Sequence, residues 1–126
     1  MNLTIILKLL SDKNRLRIVN LLNNKSLCVG EIQTILGLMQ SNTSRHLEKL
    51  SSNNLITSYK ESQMVFYFLN KEFLNEYSNF FDFIVEKIGK DRFFKTDLNR
   101  LNRYINSNFT CDDLRKVGCN FDKLNI

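Results

Sequence analysis

The chain contains no proline and no tryptophan, only four glycines, and a single histidine among its 126 residues. Without proline, no helix is interrupted by a missing amide or a ring clash, so turns must depend on Asn, Ser, Asp and Gly. Long apolar runs are also missing, since residues 5–7 and 66–69 fall far short of the roughly 20 residues that a membrane helix needs. These absences favour a helix-rich globular chain and predict no transmembrane segment.

The N-terminal residues lack the basic segment, long apolar stretch and small-residue cleavage site of a secretory signal. We therefore expect a cytoplasmic protein with no membrane association. Its three cysteines, Cys28, Cys111 and Cys119, are expected to be reduced in that compartment, and an odd number also argues against a structural disulfide framework.

The composition is that of an ordinary globular domain, with 43% hydrophobic and 25% charged residues. The basic charge is concentrated in the N-terminal part, because residues 1–70 account for +4 of the net charge of +5. A polyanion such as nucleic acid is therefore expected to bind to that half of the chain.

Apolar periodicity predicts a mainly helical fold with one small β-hairpin. The predicted helices cover residues 3–10, 13–22, 29–36 and 40–50, with Asp12 as an N-cap and Gly37 as a left-handed C-cap. Within the last of these, Thr43, Leu47 and Leu50 share an inward face, while Ser41, Arg45 and Glu48 lie opposite. Two helices joined by a tight glycine-containing turn are typical of a helix-turn-helix. Residues 55–60 and 64–69 are rich in β-branched and aromatic side chains, which predicts the hairpin.

The C-terminal half is expected to contain further helices. Residues 71–88 carry a wide apolar stripe over about five helical turns, which is either intramolecular core or a dimer interface. Residues 90–105 are again helical in pattern. Thr110, with Asp113 three residues later, can cap one more short helix in an otherwise irregular tail.

Four segments carry a resemblance to a known family. These are LLSDKNRLRIV (9–19), LCVGEI (27–32), GLMQSNTSRHL (37–47) and VFYFLN (65–70). They resemble the ArsR/SmtB family of bacterial transcriptional repressors in order and spacing over about residues 5–88. The resemblance implies a homodimeric winged helix-turn-helix with a DNA-binding and dimerisation domain over 1–89. A helical C-terminal extension over 90–126 is expected to pack on the same domain. The implied partners are double-stranded operator DNA and a second copy, paired through the N-terminal helix and residues 71–88.

The resemblance also implies which residues contact DNA. Gln40 suits adenine, Arg45 suits guanine or phosphate, and the neighbouring polar groups suit phosphates or base edges. Arg15 and Arg17 at the start of the second helix, with Lys49 and Lys60, are expected to bind phosphates. The full predicted set is Gln40, Ser41, Asn42, Ser44, Arg45, His46, Lys49, Lys60 and Arg15. A merely solvated helix face is the alternative interpretation of these side chains.

The chain departs from the family pattern at several positions. Lys13 and Asn14 stand where the family usually has Pro-Thr, and Met39 stands where it has a serine N-cap. Losing that cap costs about 1 kcal/mol if nothing replaces it. At the wing tip, Glu61 and Gln63 reduce the positive charge, so minor-groove contact is expected to add little affinity.

Cys28 lies in a segment similar to the family's box for arsenicals and thiophilic metals, where a second cysteine follows two residues later. Gly30 occupies that second position, so a site built from the box alone is excluded. Cys111 and Cys119 would complete a three-thiolate set with Cys28, suited to arsenite, antimonite or another soft metal ion as inducer. On one straight helix these two lie about 12 Å apart, so Gly118 must turn Cys119 back, or the tail must reach the other subunit. DNA binding itself is expected to need no cofactor.

Other functions stay open at this point. Thiol oxidation is one alternative trigger, and a buried structural Cys28 with no cysteine-based sensing is another. A zinc site on the 71–88 helix is not supported, because Asp82 and Glu86 have no histidine beside them. An enzyme is not expected, since no phosphate-binding glycine-rich loop or nucleophile–histidine–acid arrangement is present. A winged helix that binds protein or RNA is the alternative of a different class.

Overall fold

The computed structural model describes residues 1–126 and consists mostly of helices around a small antiparallel sheet. No helix is both long and apolar enough to cross a membrane. In chain order the elements are α1 (Leu3–Leu10), α2 (Lys13–Leu22), β1 (Leu27–Cys28), α3 (Val29–Leu36), α4 (Gln40–Ser52), β2 (Ile56–Glu61), β3 (Met64–Leu69), α5 (Lys71–Glu76), α6 (Ser78–Ile88), α7 (Arg92–Ser107), α8 (Cys111–Val117) and a final 3₁₀ turn, Phe121–Leu124.

The helix boundaries follow the capping residues that the sequence indicated. Asp12 accepts a hydrogen bond from the Arg15 amide at 3.0 Å and begins α2. Gly37 ends α3 with φ of 71°, a left-handed conformation that glycine adopts without a Cβ clash. Thr110 and Asp113 form the predicted capping box at the start of α8. Local side-chain chemistry therefore decides where these helices begin and end.

The helix-turn-helix consists of α3 and α4, joined by the turn at Gly37. Thr43, Leu47 and Leu50 of α4 are buried against the core, as predicted, and Ser41, Arg45 and Glu48 are exposed. Leu47 and Leu50 belong to the main hydrophobic cluster together with Ile32 and Ile35 of α3. Apolar burial thus fixes α4 with its polar side outward.

The sheet has three strands in the order β1-β3-β2, one more than the predicted hairpin. The hairpin register pairs Ile56 with Leu69 and Glu61 with Met64. The short β1 adds to the other side of β3, where Leu27 pairs with Tyr67 and Cys28 with Phe66. This pairing connects the start of α3 directly to the wing strand.

The predicted continuous helix over 71–88 is wrong, because the structure divides it at Tyr77. Tyr77 has φ of −116° and ψ of 28°, which is not helical, so α5 and α6 are separate helices. Phe73 and Phe81 are buried on either side of the break, with their rings 5.5 Å apart. The break lets the two rings pack against each other, whereas on a straight helix residues eight positions apart are separated by about 12 Å along the axis.

Helix α7 of the C-terminal extension is anchored on α2 by a buried ion pair, whose arginine also contacts the end of α3. Arg17 of α2 donates to both carboxylate oxygens of Asp97 at 2.8 and 3.0 Å, and to the Leu36 carbonyl at 2.9 Å. Both side chains are almost fully buried. The expectation that Arg17 binds DNA phosphate is therefore wrong, since its donors are used inside the molecule.

The tail after α8 is more ordered than expected. Gly118, with φ of 94°, ends α8, and Phe121 and Leu124 of the final 3₁₀ turn are buried in the main cluster. The guanidinium groups of Arg100 and Arg103 lie over the Phe121 ring at 4.1 and 5.0 Å. These contacts hold the end of the chain on α7 and bring Cys119 back to the domain.

Candidate functional site

Cys28 stands at the junction of β1 and α3, at the N-terminus of the first helix of the helix-turn-helix. Its backbone is extended and belongs to the sheet, while the next residue is already helical. Its side chain is buried. A change in the bonding of the Cys28 sulfur is therefore expected to affect both the position of α3 and the pairing of β1 with β3.

Cys28 and Cys111 form a disulfide, with Cα atoms 6.5 Å apart and 83 residues of separation. The expectation that all three thiols are free is therefore wrong for this pair. The sequence could not show the pairing, because it depends on α7 reversing the chain and bringing the start of α8 onto α3. Cys111 Sγ also lies 3.6 Å from Met64 Sδ, so the disulfide contacts the wing strand.

Cys119 remains a free, exposed thiol close to the same disulfide. Its sulfur lies 3.5 Å from the position that a Cβ would take on Gly30, and Cys28 Sγ lies 3.9 Å from that position. Gly30 is the residue that replaces the second cysteine of the similar family box. The tail thiol thus occupies the space next to the missing side chain, within one subunit.

Glu31 adds a carboxylate to the sulfur cluster. It is only 5% exposed, and its Oε1 accepts a hydrogen bond from the Cys28 amide at 3.0 Å. Its Oε2 accepts from the Tyr104 hydroxyl at 2.6 Å. Burial, together with the bond to Glu31, raises the pKa of Tyr104 above its usual range, so this hydroxyl remains a neutral donor.

The cluster is open to solvent on one side. A cavity of about 910 Å³ lies between the wing and the start of α8, and Cys111 is among its lining residues with Met64, Phe66 and Arg115. An ion or small oxidant can therefore reach Cys111 without unfolding of the domain.

The second cluster of candidate residues lies on α4. Gln40, Ser41 and Arg45 are exposed, and Asn42 and Ser44 are half-buried. Gln40 donates to Ser44 Oγ at 3.1 Å, and Arg45 donates to Asn42 Oδ1 at 2.9 Å. These bonds pre-arrange the polar side chains, and exposed bonds of this type are readily exchanged for bonds to a ligand.

Lys49 and Lys60 are also exposed. Lys49 follows Arg45 by one turn on α4, and Lys60 lies near the wing tip on β2. Glu61 is its neighbour there, so the positive charge of this part of the surface comes mainly from α4.

Arg15, by contrast, donates hydrogen bonds within the chain, and His46 is buried with no hydrogen-bond partner for its Nδ1. Arg15 donates to the carbonyls of Leu9 and Lys8 at 2.8 and 3.3 Å. His46 is only 7% exposed, and burial lowers its pKa, reinforced by the positive charges of Arg15, Arg45 and Lys49 against the opposing charge of Asp12. The hydrogen bonds of Arg15 and the burial of His46 favour a structural role for both residues over direct contact with DNA.

Glu31 and Tyr104 are the site residues that sequence reasoning did not identify. Glu31 was recognisable as the acidic residue of the box, but nothing in the spacing showed that its carboxylate faces the sulfurs. Tyr104 comes from α7, outside the segments that carry the family resemblance. Tyr104 reaches Glu31 only because α7 packs against α3.

Residues 12–58 match the family described as bacterial regulatory protein, arsR family. The chain is 37% identical over 82 residues to the arsenical resistance operon repressor of Staphylococcus xylosus, covering 65% of this chain and 79% of that protein. The chain belongs to the ArsR family. The members that it matches are named as transcriptional regulators and repressors rather than enzymes, in agreement with the prediction from the sequence.

Two further relatives define the extent of the similarity. The cadmium resistance transcriptional regulatory protein CadC of Listeria innocua is 40% identical over 70 residues, which are 54% of this chain. The chain spans 59% of the length of that relative. The solved structure of reduced HlyU from Vibrio cholerae has a TM-score of 0.57 and 31% identity, covering 69% of this chain and 84% of that one. In this ArsR-family chain the part that matches the family model ends at residue 58, before the C-terminal extension.

Proposed function

We propose that this ArsR-family chain is an operator-binding repressor that releases DNA when a thiophilic metalloid or metal ion binds Cys28, Cys111 and Cys119. The observation that carries this proposal is the convergence of all three cysteines at the N-terminus of α3. Thiolates are the donors that soft ions select. The names of the arsenical and cadmium regulators support the same class of inducer.

The donor set fits such an ion only when the Cys28–Cys111 disulfide is reduced, because a disulfide sulfur is not a thiolate. Reduction supplies two thiolates next to the free Cys119, and the open cavity gives the ion access. Arsenite or antimonite would take three sulfurs, whereas a divalent ion prefers four ligands. The oxidised form is therefore expected to be unresponsive.

The position of the cluster supplies a route to DNA release. Cys28 belongs to the strand that pairs with β3 and also precedes α3, while Cys111 contacts Met64 of β3. An ion that draws the three sulfurs together would move α3, and with it α4, relative to the wing. A small change in that relation alters how α4 enters a major groove.

The test is operator binding by the reduced protein at fixed salt, with arsenite, antimonite, cadmium or zinc added. We expect at least one agent to release wild-type protein, Cys28→Ser to abolish release, and Cys111→Ser or Cys119→Ser to weaken it. Oxidised wild type serves as the matched control and should not respond. If no agent releases the reduced protein, ion-induced release is wrong.

DNA contact is proposed for the exposed side chains of α4, chiefly Gln40, Ser41 and Arg45, with Asn42, Ser44, Lys49 and Lys60 in support. Arg45→Ala should reduce operator affinity and discrimination by about 1–3 kcal/mol if it reads a base. Glu48→Ala on the same face is the control. Unchanged operator affinity in Gln40→Ala and Arg45→Ala, with normal cellular activity, would instead support a protein- or RNA-interaction module.

A second candidate trigger is thiol oxidation, which the Cys28–Cys111 disulfide specifically favours. Here the two thiols are the active form and their oxidation to the disulfide changes operator affinity. Comparison of reduced and oxidised wild type, with no metal present, distinguishes the two triggers. Cys119→Ser should leave this response intact, because Cys119 is not part of the disulfide.

The working form is proposed to be a cytoplasmic homodimer paired through α1 and residues 71–88. Exposed apolar side chains lie on both segments, including Ile5 and Leu7 on α1 and Phe83 on α6. The Tyr77 hydroxyl donates to the Met1 carbonyl at 3.1 Å, which places the N-terminus against the α5–α6 junction. We also propose that residues 1–89 form the DNA-binding and dimerisation domain and that residues 90–126 form a helical extension packed on it.

A further inference from the structure

Helix α7 has an exposed side that carries positive charge and no negative charge. Residues 71–126 hold ten basic and nine acidic side chains, so this half of the chain is nearly neutral as a sequence. The fold separates these charges, because Asp97, the single acidic residue within α7, is buried in an ion pair. Arg92, Lys95 and Arg103 are all exposed. The outer side of α7 is therefore positively charged.

The spacing of these cations places them in one row. At 100° per residue, Arg92, Lys95 and Arg103 lie within about 80° of one another around the helix, and Asn99 lies between them. The row is about 16 Å long at 1.5 Å per residue. The exposed Asn99 amide adds hydrogen-bond donors to it. These four side chains form the α7 basic face.

The charges of the α7 basic face are not neutralised inside the molecule. None of its three cations belongs to an ion pair, although Arg103 donates to the main-chain oxygen of Ile126. The half-buried Arg100 beside this face also has no ion pair, and its Nε is buried without a hydrogen-bond partner. Like charges in one row repel one another, so a polyanion is the partner that this surface favours.

The C-terminal part of the face adjoins the start of α4. Arg100 Nη1 lies 3.8 Å from the position that a Cβ would take on Gly37, in the turn before α4. A cavity of about 360 Å³ is lined by Arg100 on one side and by Met39 on the other, with Asp122 at its edge. Met39 directly precedes Gln40, the first residue of the proposed DNA-contact set. The two surfaces are thus neighbours.

The N-terminal part of the face adjoins the start of α2. Lys13 Nζ lies 3.9 Å from the centre of the Phe93 ring, and Lys13 and Arg92 line one cavity of about 350 Å³. Asp91 also lines it, and its carboxylate accepts from the Phe93 amide as the N-cap of α7. Because α2 packs against α4, the exposed Lys13 extends the positive surface from α7 towards the DNA-binding helix.

We propose that the α7 basic face is a second DNA-contact surface, which binds backbone phosphates next to the segment that α4 contacts. This inference rests on the proposed operator-binding function and extends its contact surface into the C-terminal extension. Phosphate contacts require positive charge and donors rather than a particular base sequence. Duplex DNA carries one negative charge per about 1.7 Å of axis, so a row about 16 Å long is sufficient for more than one phosphate.

The experiment compares wild type with the double variant Arg92→Ala/Lys95→Ala. Binding is measured to a promoter duplex from its own gene and to a random duplex of equal length, over a series of salt concentrations. We expect both affinities to fall about 10-fold or more at about 0.1 M salt, and the slope of log K against log salt to lose about 2 units or more, since each phosphate contact contributes about 0.9. Both duplexes should lose affinity equally, because phosphates carry no sequence information.

The matched control is Lys25→Ala/Lys71→Ala, which removes two exposed lysines from the loop after α2 and from α5. It changes the net charge equally and should keep the wild-type slope. Arg92→Lys/Lys95→Arg, which retains both charges, should also keep it. A slope for Arg92→Ala/Lys95→Ala equal to that of the control would overturn the inference, as would a loss confined to the promoter duplex.

Thermal unfolding of each variant without DNA checks folding. If Arg92→Ala/Lys95→Ala does not fold, Asn99→Glu places a negative charge in the middle of the row, and the same loss on both duplexes is expected. If wild type shows no salt-dependent binding to either duplex, the proposed function itself fails. If wild type binds and Arg45→Ala lowers its discrimination while the α7 variants bind as the control does, only the assignment of α7 fails.

Discussion

At the scale of single residues, Met39 leaves the first turn of α4, the proposed DNA-binding helix, without a side-chain cap. It occupies the N-cap of α4 with φ of −75° and ψ of 148°, and it provides no side-chain hydrogen bond to the first turn. The side chain is 70% exposed, so it contributes little to the core. The backbone conformation is already the one that a capping serine needs.

Met39→Ser is therefore expected to stabilise the domain by about 0.5–1 kcal/mol, because its hydroxyl can accept from a free amide of α4. The measurement is the free energy of unfolding from urea titration. Met39→Ala, which removes the same side chain without adding an acceptor, is the control. Equal stability of the serine and alanine variants would show that the amides are satisfied in another way.

The buried His46 predicts a dependence of stability on pH. Burial lowers its pKa in the folded state, whereas the unfolded chain binds the proton near the ordinary value of about 6.5. Below about pH 6.5 the unfolded chain therefore binds more protons than the folded protein does. The free energy of unfolding is highest above that pH and decreases as the pH falls through the pKa of His46 in the folded state.

His46→Gln should accordingly flatten the decline in unfolding free energy as the pH falls below about 6.5. Urea titrations of both proteins across this range measure the difference. Parallel curves for wild type and variant would mean that His46 does not titrate differently on folding.

At the scale of elements, the docking of α7 decides the architecture of the C-terminal extension. Asp97 receives two hydrogen bonds from Arg17, and the same guanidinium also reaches the end of α3 at Leu36. One ion pair thereby joins α2, α3 and α7. Removing one partner leaves a buried charge with no compensation.

Asp97→Ala should cost about 3–5 kcal/mol, the range for breaking a buried pair. Chemical unfolding gives the magnitude, and hydrogen exchange of the α7 amides should rise first. Asp82→Ala, which changes an exposed carboxylate on α6, should remain within about 0.5 kcal/mol of wild type. A cost for Asp97→Ala no greater than that control would refute the anchoring role.

At the scale of the whole molecule, the unpaired apolar surface of α1 and α6 defines the proposed dimer. Phe83 is 56% exposed on α6, and Leu3, Ile5 and Leu7 are each exposed on α1. A two-fold interface contains every substitution twice, so one change has a doubled effect.

Phe83→Glu is expected to weaken dimerisation by about 100-fold or more, since burying a Phe side chain gives roughly 1.5–3 kcal/mol. Analytical ultracentrifugation measures the dissociation constant, and operator affinity should fall with it. Val117→Glu is the control, because Val117 is similarly exposed, at 54%, on α8. A dimer of unchanged strength in Phe83→Glu would exclude this face.

Much of the DNA-binding part could be predicted because its signals are local. The N-cap at Asp12, the left-handed glycine at position 37 and the inward face of α4 each depend on residues within one or two turns. The β1 strand and the break at Tyr77 were missed, because a two-residue strand exists only through its partner β3. The break likewise exists only because Phe73 and Phe81 enter the same core.

The helix-turn-helix could be predicted from the sequence because short-range periodicity and capping specify it, and the resemblance of four local segments indicated the family and the cysteines as sulfur donors. Which sulfurs meet depends on the tertiary fold, because the docking of α7 brings Cys111 to Cys28 and the turn at Gly118 brings Cys119 back to the domain. The docking of α7 also places Arg17 in a buried ion pair with Asp97. It brings the Tyr104 hydroxyl to Glu31 beside the cysteine sulfurs. Such contacts join residues that are far apart in the chain. They depend on burial and ion pairing between helices, and the spacing of residues along one helix does not predict them.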